Sequence, residues 1–223
     1  MLLLFDVDGT LVRTAGAGRA ALERAVEEVA GFAGALKDVR LDGNTDPQIL
    51  REVFFGAAGR EATPAETTDI YARYVHYLEA ELEARAAEYQ VLPGAVRLLE
   101  ACVGAGYELG LATGNIEHGA RRKLGPGDLD RFFAFGGFGS DAGERADLVM
   151  AAIRRSRGWP NEAIVVLGDT ERDVEAARRV GVRVVGVLAG ASKPDRLREA
   201  EPDLLAESFD DLALWSWLEL HRA

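Results

Sequence analysis

The sequence predicts an α/β fold, a doubly wound parallel sheet carrying an inserted small α-helical cap, and three observations lead there. The chain opens on an apolar strand, Leu2 to Val7. From Pro93-Gly94 onward, helical patterns alternate with short apolar strands at Tyr107 to Ala112, Phe132 to Phe135, Ile164 to Leu167, Val182 to Val187 and Asp203 to Leu205. Between these parts the strand pattern vanishes for roughly eighty residues and helix signals replace it. Continuous apolar runs suit strands buried on both faces, and strand–helix alternation specifies parallel pairing with helices on either side.

Within the insert, Leu22, Val26 and Val29 mark one helix face. Asp46-Pro47 opens a second helix with Ile49, Leu50, Val53 and Phe54 inward. Thr63-Pro64-Ala65-Glu66 is a capping box with Pro at the first helical position, and Ile70, Tyr74, Tyr77, Leu78 and Leu82 continue its stripe as core. The expected division is a core of residues 1–13 and 91–223 and a helical cap of residues 14–90. Val12-Arg13-Thr14 and Glu88-Tyr89-Gln90 are its linkers, and paired linkers permit hinge closure. Core helices are expected over Pro93 to Ala105, Ile116 to Leu124, Ala146 to Arg155 and from Glu171 to Arg178, with a closing amphipathic helix from Asp210 to Leu220.

A formal net charge of −11 argues against nucleic acid or anionic membranes as partners. The single cysteine, Cys102, can form no disulfide within the chain and reads as a buried hydrophobe. Met1 to Phe5 is too short and lacks the basic start of a signal peptide, and no apolar run is long enough to span a bilayer, so the expected location is cytoplasmic. His76, His118 and His221 form no zinc pattern with the lone cysteine, and His118 reads as a solvated helix residue.

Chemistry concentrates at three strand ends. Asp6 and Asp8 leave the first strand into the turn Gly9-Thr10, at the carboxyl end where ligands of parallel sheets bind. Two anions that close need a cation or a shared proton, unless Asp8 is simply solvated in an Asp-Gly turn. Ala163 to Thr170 repeats the pattern of apolar strand, Gly and Asp, and Asp173 follows in the first helical turn. Four carboxylates, Asp6, Asp8, Asp169 and Asp173, are thus expected to converge, an oxygen-only set suited to Mg²⁺. At the third end Thr113 offers a hydroxyl, Gly114 lets the backbone approach a ligand, and the N–H groups after Asn115 point at an anion. Thr113-Gly114-Asn115 is either a phosphate cradle or a helix cap without a ligand.

Together these segments resemble the haloacid dehalogenase superfamily, whose motifs are an opening DxDGT, a strand ending in Ser or Thr, a basic residue and a closing GDxxxD. Asp6, Asp8, Gly9, Thr10, Thr113, Asp169 and Asp173 match in order, and the resemblance covers the whole chain. It is nearest to the phosphoglycolate phosphatase-like branch with a helical cap. The resemblance implies Asp6 as nucleophile on phosphorus, and Asp8 as the acid for the leaving oxygen and later the base for water. It also implies Mg²⁺ on Asp6, the Asp8 carbonyl and Asp169, with Asp173 alongside. The polar loop Leu41 to Asp46 should then face Asp6, with Asn44 and Thr45 against the leaving group, although helix capping alone would also explain Thr45 and Asp46.

One position departs from the family. Its basic residue is usually Lys, placed between the third strand region and the Asp169 strand, and none of Lys37, Lys123 and Lys193 is expected to fall there. Arg145, opening the helix from Ala146, is the candidate, because its fork can hold both phosphate and Asp6; the alternative is a surface Arg on a helix face. The function implied is a Mg²⁺-dependent phosphatase acting on a small phosphorylated metabolite as monomer or homodimer. A phosphomutase of the same superfamily and a non-catalytic binding protein with this fold are the alternatives.

Overall fold

In the computed structural model, which describes residues 1–221, β1 (Leu2–Phe5) and the short β2 (Val12–Arg13) precede three long helices. These are α1 (Ala17–Ala30), α2 (Asp46–Ala58) and α3 (Pro64–Ala84). After β3 (Gln90–Val91) come α4 (Ala95–Gly104), β4 (Glu108–Thr113), α5 (Glu117–Leu124), β5 (Gly136–Phe138), α6 (Arg145–Arg155) and β6 (Ile164–Gly168). The chain then runs through α7 (Glu171–Val180), β7 (Arg183–Val187), α8 (Pro194–Glu199), β8 (Leu204–Ala206) and α9 (Leu212–Trp217). Residues 222–223 of the expected core lie outside the described residues. Among the described residues, no helix is long and apolar enough to cross a membrane.

Six strands form one parallel sheet in the order β5-β4-β1-β6-β7-β8. β1 sits in its middle, so its apolar run meets partners on both edges and helices on both faces. Side chains alternate accordingly: Leu3 and Phe5 join the cluster containing Leu98, Cys102 and Trp215, while Leu2 and Leu4 join Val149, Val174 and Leu197 on the other face. A third apolar cluster belongs to α1, α2 and α3, with Leu22, Val26, Ile49, Phe54, Ile70 and Leu78 buried around Tyr74. α2 and α3 each start at a capping box, Thr45 with Gln48 and Thr63 with Glu66, a device worth about 1 kcal/mol per cap.

Two expectations need correction. The fifth strand is Gly136–Phe138 and not Phe132 to Phe135, because Asp130–Phe132 is a 3-10 turn and Phe133 instead buries its ring 5.7 Å from that of Phe5. Two glycines suit the ladder better than two phenylalanines here: a Cβ on Gly136 would collide with Leu111, and one on Gly137 with the backbone of Leu148 in α6. The closing helix is shorter than Asp210 to Leu220, since the Asp211 carboxylate caps it by accepting from the Ala213 N–H, while Leu218 and Leu220 pack beyond its end. The two linker segments pair with each other, Val12 opposite Val91 and Arg13 opposite Gln90, as an antiparallel ribbon.

Candidate active site

The parallel register brings the C-terminal ends of β1, β4 and β6 level, with Phe5 beside both Leu111 and Leu167. Asp6 leaves β1 with its N–H still bonded to the Leu167 carbonyl at 2.9 Å, and Asp169 follows directly on β6. The turn after Asp8 has Gly9 at φ 76°, and a side chain there would strike the Asp169 carboxylate. Thr10 donates its hydroxyl to Asp169 at 3.2 Å. Gly168 has the same role on the other side, because a Cβ would collide with the carboxylate of Asp173.

Carboxylate oxygens of Asp6, Asp169 and Asp173, all buried, lie within 4.8 Å of one another. Arg145 reaches them from the start of α6, with Nη2 at 2.6 Å from both Asp6 Oδ2 and Asp173 Oδ1 and Nε at 2.8 Å from the latter. Its side chain is 9% exposed, so the reading of a surface Arg is overturned. The other Asp173 oxygen accepts from the N–H and hydroxyl of Thr170, which closes a capping box on α7.

Burial pushes Asp6 up to about 6, with Asp173 and Asp8 adding to the shift and Arg145 and the Thr113 hydroxyl opposing it. Asp169 is held well above the usual carboxylate range by burial and then by Asp6 and Asp173. One guanidinium facing three carboxylates leaves two negative charges in excess when all are ionised. Closely spaced, desolvated, all-oxygen donors with that surplus fit a hard divalent cation such as Mg²⁺.

Asp8 does not join this group through its carboxylate, so four carboxylates do not converge; three do. Its Oδ2 accepts from Lys123 Nζ and from Asn115 Nδ2, each at 2.7 Å. Asn115 returns its Oδ1 to Lys123 at 2.6 Å and donates to the Thr113 hydroxyl at 2.9 Å. Lys123 of α5 does fall between β4 and β6, so the expectation that no lysine stands there is corrected. Its signal is present, since it stands on the buried stripe of α5 at Ala120, Lys123 and Leu124. Burial opposes its charge, but Asp8, Tyr74 and Asp46 outweigh that and raise its pKa.

The cradle after β4 is also altered. The Ile116 N–H goes to Asp46 Oδ2 at 2.8 Å and the Glu117 N–H to the Ser140 hydroxyl at 3.3 Å, so these donors of α5 are already occupied. Thr113 and Gly114 remain on the cavity wall. Asp46 N–H in turn donates to the Gly114 carbonyl at 2.8 Å, and a Cβ on Gly114 would lie 2.5 Å from the Asn44 carbonyl oxygen. Buried between the two helix starts, Asp46 is pushed up to about 6 by desolvation, against the pull of Lys123 and the Ile116 N–H. Asn44 spends its side-chain donor on the Arg40 carbonyl and Glu52, and Thr45 donates to the Gly143 carbonyl at 2.8 Å. Asn44 lines the cavity, whereas Thr45 acts as a cap and a tie.

Asp6, Asp8, Thr113, Arg145 and Asp169 open onto a cavity of about 410 Å³ between the sheet ends and the helical cluster. Arg13 and Arg19 line it as well, donating to the carbonyls of Ala189 and of Leu36 and Val39. Carboxylates placed at parallel strand ends, beside a buried guanidinium fork and opening onto a cavity, have the positioned charges that phosphoryl transfer calls for.

Comparison with known proteins agrees. Residues 3–187 match the model of the haloacid dehalogenase-like hydrolases, and the chain belongs to that family. It is 29% identical to a phosphoglycolate phosphatase of Agrobacterium fabrum over 93% of this chain and 88% of that one. It is 31% identical to a phosphoglycolate phosphatase of Rhodospirillum rubrum over 97% and 90%. Among solved structures, CbbY from Rhodobacter sphaeroides in complex with phosphate superposes with a TM-score of 0.72 at 21% identity, covering 95% of both chains. A putative β-phosphoglucomutase from Bacteroides vulgatus gives 0.73 at 20% identity, over 98% of this chain and 88% of that one. The protein is thus an enzyme of the phosphatase class.

Proposed function

We propose that this phosphatase hydrolyses a small phosphomonoester in two steps, through a phosphoryl group carried on Asp6, with magnesium as its metal. The observation that carries the reading is the contact of Arg145 with Asp6 inside the three-carboxylate cluster. Asp6 would attack phosphorus with one carboxylate oxygen, and Asp8 would give a proton to the leaving oxygen as the P–O bond breaks. Asp8, then ionised, would take a proton from the water that attacks the phosphoryl group, and Asp6 is released. Arg145 and the Thr113 hydroxyl, both already bonded to Asp6, would hold the carboxylate for attack and share the phosphoryl oxygens. Asp6, Asp169 and the Asp8 carbonyl would hold Mg²⁺, with Asp173 alongside; when bound, the ion supplies positive charge between nucleophile and phosphoryl group.

We take residues 14–90 as a cap that closes over the core, excluding water from the reaction. The small cavity and the guanidinium groups of Arg13 and Arg19, bonded to neutral carbonyls, favour a compact anionic substrate. Phosphoglycolate, named in several relatives, is the first candidate, and the cytoplasm is the proposed setting. The likeness to the phosphoglucomutase is one of fold and favours no isomerase activity. Phosphate release from phosphoglycolate and from a panel of sugar phosphates, with magnesium present, tests the assignment. Sugar phosphate isomerised faster than phosphate is freed would overturn it.

A further inference from the structure

Lys123 is buried behind Asp8. Its side chain is 7% exposed and that of Asp8 43%, so the ammonium forms the inner wall against which the carboxylate rests. Both N–H donors that Asp8 receives, Lys123 Nζ and Asn115 Nδ2, end on the same oxygen, Oδ2. Lys123 is itself held tightly: it donates to Asn115 Oδ1, and its carbonyl accepts from the Tyr89 hydroxyl at 2.9 Å. Gly18 of α1 sits so close that a Cβ there would lie 3.0 Å from Nζ, and Tyr74 of α3 joins the same polar cluster.

An oxygen already accepting two N–H donors cannot also carry the acid proton without losing one of them. We propose that Lys123 is the positioning residue for the proton-transfer carboxylate: by holding Oδ2 of Asp8 together with Asn115, it restricts the transferable proton to Oδ1, on the side of the leaving group. In the first step the Oδ1–H bond breaks and the proton goes to the departing oxygen. In the second, Oδ1 accepts the proton of water, and Lys123 keeps its own protons throughout. The helical cluster enters through Gly18 and Tyr74, which pack close to the ammonium and help keep it buried. The inference rests on the assignment of Asp8 as the acid.

The test compares two aryl phosphates of similar size, phenyl phosphate with a poor leaving group and p-nitrophenyl phosphate with a good one, in magnesium-loaded enzyme. Lys123→Met is expected to lower kcat/KM about tenfold or more on phenyl phosphate but only about threefold or less on p-nitrophenyl phosphate, because an acidic phenol needs little protonation. Equal losses on both would mean that the ammonium supports the site only structurally, and no loss would mean that Asp8 needs no partner; either overturns the proposal. Where the methionine variant does not hold its fold by near-UV circular dichroism, Lys123→Gln decides on the same criterion. Asp8→Asn measured alongside separates the two claims. A selective loss in Asp8→Asn without one in the Lys123 variants defeats only the positioning role, whereas an equal loss on both substrates in Asp8→Asn defeats the assignment of Asp8 itself.

Discussion

Nη2 of Arg145 lies 2.6 Å from Oδ2 of Asp6, and the same nitrogen lies 2.6 Å from Oδ1 of Asp173. One guanidinium thus joins the end of β1 to the start of α7, and it is the main positive charge among three buried carboxylates.

Arg145→Ala should lose roughly a hundredfold to a thousandfold in turnover, as for removal of one preorganised electrostatic donor. It should also destabilise the protein, because three buried carboxylates lose the guanidinium that pairs two of them. Breaking a buried pair from one side costs about 3–5 kcal/mol. Arg145→Lys should recover much of the turnover, since charge returns without the fork. Steady-state kinetics and thermal melts of both variants check this.

Magnesium should raise the melting temperature and its chelation should abolish turnover, because an ion bound only by the folded cluster stabilises the fold by mass action. Calcium should bind yet support turnover poorly, given its looser and larger coordination shell. Turnover that persists in excess chelator would contradict the metal assignment. The Arg145→Ala deficit in melting temperature should be larger in chelator than in magnesium, since the two cations offset the same repulsion.

Asp46 carries a pH signature. Burial holds its folded pKa at about 6 against the ordinary 3.8, so on raising pH the unfolded chain ionises first. The stability this residue contributes is therefore fully present below pH about 4 and is lost as pH rises through about 6. Asp46→Asn cannot ionise and keeps an acceptor for the Ile116 N–H. Relative to wild type it should gain as pH rises through that window, by about 3 kcal/mol at most. Denaturant unfolding at pH about 4 and about 7 measures the difference, and a gap that does not change with pH would refute the assigned cause.

Gly114→Ala should loosen the contact between the helical cluster and the sheet end, because its Cβ would lie 2.5 Å from the Asn44 carbonyl oxygen and 2.9 Å from Thr45 Cα. The loop must move to admit it. The expected result is a raised KM with the fold retained, read by steady-state kinetics and circular dichroism.

Much of the site was legible because its residues are tied to strand ends. A buried parallel strand announces itself as a continuous apolar run, so Asp6, Thr113 and Asp169 could be placed at one edge of the sheet from pattern alone. Side-chain direction was not legible. Asp8 follows Asp6 by two residues, but the turn at Gly9 sends its carboxylate to Lys123 rather than to the cluster. The inward direction of Lys123 was not legible because a charged residue on a helix usually faces solvent, and only the stripe through Ala120 and Leu124 marks it as inward. The edge strand was misplaced because Phe132 and Phe133 have the stronger strand character, while close approach to Leu111 and α6 demands Gly136 and Gly137. Capping by a distant segment, as Asp46 caps α5, leaves no local trace at all.

The most direct test of the mechanism is acid-quenched single turnover with a phosphomonoester labelled in its phosphoryl group, followed by peptide mapping. The account predicts acid-stable label on the peptide containing Asp6, formed no slower than turnover and absent in Asp6→Asn, with the fold of that variant intact. Turnover at the wild-type rate in Asp6→Asn, or label on any other residue, would contradict it.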